Sequence, residues 1–157
     1  MVKIKVVAVG KIKEKYFIDA IEEYKKRLSR FCDFKIVEIK EETFVAEPTP
    51  SQIQEILKRE GMKILKELNG YVIVMAIEGK KVSSTDFSKI INEKKDSDGE
   101  ITFVIGGSWG IFNEIKSKAN LKVSFSDMTF PHTMFRVMLV EQIYRAFTIL
   151  NDGKYHK

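Results

Sequence analysis

At 157 residues, 44% of them hydrophobic, the chain is long and apolar enough for one cored domain spanning 1–157, which excludes the low-hydropathy class of disordered proteins. No apolar run approaches the roughly 20 residues of a membrane helix, and Cys32 is alone, which excludes an internal disulfide and fits a reducing cytoplasm. The net charge of +5 permits a polyanionic partner without demanding one.

Residues 2–9 alternate like a strand and read as a first structural element rather than a signal peptide. Residues 13–30 are helical, with Tyr16, Ile21, Tyr24 and Leu28 at three- to four-residue spacing. A second strand spans 34–39, and 41–50 is a polar loop in which Pro48 and Pro50 block regular structure. Ser51 is expected to cap a helix over 52–68 that stops before Gly70. The third strand, 71–77, is apolar on both sides, as in a parallel sheet covered on both faces. A helix over 84–92, a turn over 96–99 and a fourth strand over 101–105 follow. A short helix over 110–118, a fifth strand over 121–125 and a final helix over 131–150 complete the chain. The alternation predicts an α/β fold with a mainly parallel five-stranded sheet and helices on both faces.

Gly106, Gly107 and Gly110 lie between a strand and a helix, where glycine permits close backbone approach and helix-start amides meet polar groups. A tight turn without a ligand accounts for the glycines alone at least as well. They do not form the Gly-x-Gly-x-x-Gly fingerprint, which argues against a hydride-transferring enzyme. The last helix carries Met134, Val137, Met138, Val140, Ile143, Tyr144 and Phe147 over more than half its circumference. Such a helix is buried against more than its own sheet, in a dimer or in a central core. His132 and His156 are the only histidines, so no metal cluster is expected. Glu141 and Arg145, four apart, fit an ion pair as well as a catalytic pair.

The run Phe103-Val-Ile-Gly-Gly-Ser-Trp-Gly110, then Phe125-Ser-Asp-Met-Thr-Phe-Pro-His132, Tyr144-Arg-Ala-Phe147 and the tail Gly153-Lys-Tyr-His-Lys157 resembles the ribosomal RNA large subunit methyltransferase H family. Val9-Gly-Lys11, Tyr24-Lys-Lys-Arg-Leu28 and Glu60-Gly61 extend the resemblance over nearly the whole chain; residues 41–54 carry little of it. The resemblance implies a knotted (SPOUT-class) enzyme with a C-terminal trefoil knot. It implies methylation of N3 of a pseudouridine in 23S rRNA of assembled ribosomes, with S-adenosyl-L-methionine as cofactor. It also implies a homodimer with composite active sites, and neither a metal nor a membrane.

Three loops would form the cofactor pocket, at Met75, at Gly106 and Gly107, and at Phe125, Ser126, Asp127, Met128, Thr129 and Phe130. His156, His132 and Glu141 are candidate bases. Arg136 and Arg145 are candidate anion stabilisers or phosphate grips, and Tyr155 belongs to a tail expected to order over the active site. RNA binding would draw on Lys11, Lys13, Lys15, Lys25, Lys26, Arg27 and Arg30. Trp109 is bulky for its turn: pointing inward it narrows the pocket, and pointing outward it is free to stack on RNA. A knotted methyltransferase acting on transfer RNA and a non-catalytic ribosome-binding module are the alternatives.

Overall fold

The computed structural model describes residues 1–43 and 46–157; Phe44 and Val45, within the expected polar loop, lie outside the described residues. Five strands and five helices alternate: β1 (Lys3–Val9), α1 (Lys15–Leu28), β2 (Asp33–Ile39), α2 (Pro50–Leu65), β3 (Tyr71–Lys81), α3 (Ser84–Ser97), β4 (Glu100–Ile105), α4 (Asn113–Lys118), β5 (Leu121–Ser124) and α5 (His132–Leu150). The strands form one sheet in the order β2-β1-β4-β3-β5, and every pairing is parallel.

Strand side chains alternate between two apolar layers. Ile4, Val6 and Ala8 of β1 join Ile101, Phe103 and Ile105 of β4 beneath Leu28 of α1, Phe87 and Ile91 of α3, and Leu139, Val140 and Ile143 of α5. Val7, Val9, Val72, Val74 and Val104 face the other way, onto Ile64 of α2 and Ile115 of α4. Each face is thus covered by helices, which is why the strands read as continuous apolar runs.

Several boundaries differ from the sequence reading. Thr49, not Ser51, caps α2. Its Oγ1 accepts from the Gln52 amide at 3.2 Å while Gln52 Oε1 accepts from the Thr49 amide at 2.9 Å. Pro50 suits the first helical position and so places the cap ahead of itself. α3 runs to Ser97, and the expected turn shrinks to Asp98 and Gly99, the latter at φ +73°. α4 begins at Asn113 rather than Gly110, because Gly110 at φ +96° closes the preceding turn. β3 continues past Ile77 to Lys81 through an irregularity that shapes the cavity described below.

One buried acid in α2 has a measurable signature. Glu60 is 3% exposed and accepts from the Glu42 amide at 3.1 Å. Burial raises its pKa above the ordinary 4.5, the Glu42 amide opposes the rise, and the nearby Glu41 and Glu42 carboxylates add to it. A carboxyl raised in the folded state costs nothing while both states are protonated, and destabilises the fold as pH rises from about 4.5 through the folded value. Glu60→Gln keeps the acceptor and removes the ionisation. Its thermal midpoint relative to the parent is expected to rise between acid and neutral pH. A pH-independent difference between the two melting curves would refute this account.

Candidate active site

The carboxyl ends of β3, β4 and β5 open onto a cavity of about 330 Å³. The carboxyl edge is where ligands of open parallel sheets bind. After β4, Gly107 and Gly110 form an isolated antiparallel bridge, with the Gly110 amide donating to Gly107 O at 3.2 Å. A Cβ on Gly106 would lie 2.5 Å from Gly110 O, and one on Gly107 would lie 2.9 Å from a Val9 methyl. The turn therefore demands glycine on packing grounds, and its backbone also forms one wall of the cavity.

β3 supplies the second wall. Val123 of β5 is the register partner of both Met75 and Lys80, so residues 76–79 leave the ladder. This excursion brings Ala76, Ile77 and Glu78 to the cavity. Glu78 accepts from Lys116 at 2.6 Å, and that bond holds its carboxyl below the usual range. The third wall is the segment after β5. Ser124 Oγ donates to Ser126 O and Ser126 Oγ accepts from the Met128 amide, both at 3.0 Å. Phe125 packs edge-on to Phe87 at 5.6 Å and against Phe135 at 5.3 Å.

Every residue expected in the cofactor pocket lines this cavity except Asp127, which faces outward and pairs with Lys81 at 2.5 Å. Sequence reasoning missed Ala76, Ile77, Glu78, Ser108, Ile111, Lys116 and Phe135. Of the residues it did place there, Met75, Met128 and Phe130 give apolar lining, joined by Ile105 at the end of β4. The cavity has the size of a small-molecule site, with apolar walls and backbone polar groups from the loops. Those features suit a flat nucleoside with a short polar chain.

His132, at the start of α5, also lines the cavity, and its Nε2 would stand 3.5 Å from a Cβ on Gly10. Arg136 differs from expectation. It is 2% exposed, with Nη1 donating to Glu38 at 2.6 Å and Nη2 to Gly10 O at 3.0 Å. Its two Nη groups tie α5 to the ends of β1 and β2, while its buried Nε has no partner among the described residues.

The remaining expected residues gather near the other end of α5. Asp152 at φ 54° reverses the chain, and the Gly153 amide donates to Thr148 O at 2.7 Å. The tail then folds back along the helix. Tyr155 packs edge-on to Tyr144 at 4.9 Å and donates to Glu141 Oε1 at 3.0 Å. Burial, with the bonds to Tyr24 and Glu141, raises the Tyr155 pKa, so it stays a protonated donor. Arg145 donates to the same Glu141 oxygen through Nε at 3.0 Å and Nη2 at 2.6 Å. Arg145 Nη1 lies 3.1 Å from His156 Nδ1. A guanidinium only donates, so Nδ1 accepts, and a neutral His156 carries its proton on Nε2. Cys32 is buried, and burial pushes its thiol up to about 12, which removes it as a nucleophile.

Ten residues of helix separate Phe135, the cavity-lining residue of α5 nearest the cluster, from Arg145, about 15 Å at the helical rise. Along α5 a single chain thus sets Arg145 apart from the cavity, with Glu141 between them. Among the described residues no group of three His, Cys, Asp or Glu side chains is arranged to hold a metal ion, and no helix is long and apolar enough to cross a membrane.

A family profile described as "Predicted SPOUT methyltransferase" matches residues 2–156. The chain is 49% identical over 156 residues to "Ribosomal RNA large subunit methyltransferase H" of Caldicellulosiruptor saccharolyticus, covering 98% of this chain and 99% of that protein. The Oenococcus oeni protein of the same name is 48% identical over 160 residues, covering 100% of each, and the Streptococcus pneumoniae protein is 49% identical over 158 residues, covering 99% of each. Among solved structures, a probable methylase family protein from Haemophilus influenzae Rd KW20 superposes with a TM-score of 0.60 at 13% identity, over 98% of this chain and 70% of that one, a likeness of fold. On the profile match and the near-full-length identity, the chain belongs to the SPOUT methyltransferase family.

Proposed function

We propose that this protein methylates N3 of a pseudouridine in 23S rRNA of assembled ribosomes, using S-adenosyl-L-methionine and working as a cytoplasmic homodimer of single-domain protomers. The observation that carries the reading is the convergence of the three family loops on one cavity, in a chain nearly half identical to large-subunit rRNA methyltransferases. The C-terminal trefoil knot implied by the resemblance belongs to the same proposal.

The cofactor supplies an electrophilic methyl group on a sulfonium. Met75, Ile105 and Phe130 would wall its adenine, and the Gly106–Gly107 and Ser124–Ser126 backbones would meet its polar edges. The chain's task is then to align the nucleophile and manage one proton. The N3–H of pseudouridine is an imide, so N3 must lose its proton to attack. Glu141 Oε2 makes no hydrogen bond among the described residues, which leaves it as the acceptor for that proton. Arg145 and the His156 Nε2–H donate to the imide oxygens as negative charge spreads onto them. His156, expected as a base, acts in this arrangement as a donor, because its Nδ1 is occupied by Arg145.

The separation along α5 supports a composite site. In the proposed arrangement a methyl group in one protomer's cavity meets the partner's cluster, because Arg145 of the same chain lies well along α5 from the cavity. An open groove of about 400 Å³ between α1, α3 and α5, lined by Phe17, Tyr24, Met134, Val137 and Met138, offers an apolar surface for such a dimer.

The test is methyl transfer from radiolabelled S-adenosylmethionine to ribosomes lacking the modification, with naked 23S rRNA and transfer RNA in parallel. Label confined to large-subunit RNA of assembled ribosomes is the expected result. Label in transfer RNA would keep the enzyme class and overturn the substrate. Cofactor binding without any label would overturn the assignment.

A further inference from the structure

Trp109 is the only tryptophan in the chain and is 46% exposed. Its neighbours Ser108 and Gly110 line the cavity, but Trp109 itself does not. Among the described residues it stacks on no ring and carries no cation over its face, whereas Tyr24, Phe31, Tyr144 and Tyr155 all do. The turn that presents it is held by the Gly107–Gly110 bridge and by Ser108 Oγ donating to Glu41 at 3.0 Å. An isolated exposed apolar residue needs no explanation by itself. What surrounds this one does.

The cations of the N-terminal third differ in their partners. On α1, Lys15, Lys25 and Arg27 are paired with Asp19, Glu22 and Glu23 in turn, while Lys26 is exposed. Lys11 and Lys13, after β1, are exposed and their ammonium groups have no partner among the described residues; Lys40, after β2, is exposed and its charge faces the Glu42 carboxylate. These three emerge at the carboxyl edge of the sheet, where β1 pairs with β2 on one side and β4 on the other. That is the edge carrying the Trp109 turn: a Cβ on Gly107 would meet Val9, and the Gly10 amide donates to Ile39 O. An unpartnered aromatic plane on an edge that also carries exposed lysines is the combination that binds single-stranded nucleic acid, stacking for the base and charge for the backbone.

We propose that Trp109 is a stacking platform for an unpaired nucleobase next to the target nucleotide, with Lys11, Lys13 and Lys40 on the flanking phosphates. The proposal rests on the RNA-methylating reading above and adds the surface by which the RNA is held. Position favours this role, since the platform borders the cavity without entering it. Stacking tolerates any base, so Trp109 would add affinity and leave target choice to shape.

The experiment is steady-state methylation of unmodified ribosomes by the parent and by Trp109→Phe, Trp109→Leu and Trp109→Ala, with cofactor affinity measured by calorimetry. Stacking predicts that Leu and Ala each raise KM for ribosomes about ten- to a hundredfold. It also predicts that Phe restores most of the loss and that cofactor affinity is unchanged in all three. A triple Lys11→Gln, Lys13→Gln, Lys40→Gln variant should flatten the salt dependence of KM. Leu behaving like the parent would mean ordinary apolar contact with protein and would overturn the platform. So would a loss of dimer in sedimentation of the Ala variant, which would assign Trp109 to the contact between copies. Absence of label with the parent would instead defeat the underlying reading, so the two failures are distinguishable.

Discussion

Gly106→Ala is expected to abolish measurable cofactor binding, a loss of at least about a hundredfold, while leaving the sheet and helices intact. The new Cβ would stand 2.5 Å from Gly110 O, 2.8 Å from Gly110 C and 2.6 Å from Ile111 Cγ1. Two of those atoms are backbone and cannot swing aside, so the turn itself must open. The turn lies at the sheet edge, outside the β4 ladder that ends at Ile105, so the cost falls on the cavity wall rather than on the core. Gly110→Ala provides the contrast. It meets nothing within 4 Å but sits at φ +96°, so it is strained without a clash, at a cost of about 1–3 kcal/mol. Gly99→Ala, equally open and at φ +73°, lies between α3 and β4 at the opposite edge and is expected to leave affinity unchanged. The ranking Gly106 worst, Gly110 intermediate and Gly99 silent, read by calorimetric titration with S-adenosylmethionine, is specific to a cofactor in this cavity. Parent-like binding by Gly106→Ala would remove the cofactor from it.

The strands were legible because a sheet covered on both faces leaves long apolar runs, and the glycine turn because its glycines are packing requirements. The excursion of β3 was not legible. Ala76-Ile-Glu-Gly79 continues the β pattern without a break, and only the double use of Val123 as register partner reveals the bulge. Asp127 was unreadable for a similar reason, since a four-residue strand and a loop give no periodicity to say which way a side chain points. The opposite fates of Arg136 and Arg145 could have been foreseen. Nine residues at about 100° each put them on opposite sides of α5, His132 shares the Arg136 side, and Glu141 lies near Arg145. The helix pattern alone thus separates one set near the cavity from another near the tail. Which set is buried depends on Glu38 and Gly10, far away in sequence.

Arg145→Leu is expected to lower kcat by roughly a hundred- to a thousandfold with little change in cofactor affinity, because it removes a donor from developing charge and leaves the cavity wall, about 15 Å away along α5, untouched. Arg145→Lys should rescue little. An ammonium cannot hold Glu141 through two nitrogens, reach His156 with a third and lie over the Tyr155 ring, as the guanidinium does. The sharper result comes from mixing lesions. In the proposed composite site the cavity comes from one protomer and the Arg145 cluster from the other. A heterodimer of Gly106→Ala with Arg145→Leu therefore has one site with both lesions and one with neither. Random assortment makes half the dimers mixed, each with one of two sites intact, so two dead variants co-expressed should recover about a quarter of parent activity. If cavity and cluster served the same methyl transfer within one protomer, every site in the mixed dimer would carry one lesion. Differently tagged heterodimers purified to homogeneity and found inactive would then place the whole reaction in a single chain. That outcome would require the tail to travel the length of α5 during turnover, releasing the Tyr155 and His156 contacts described above.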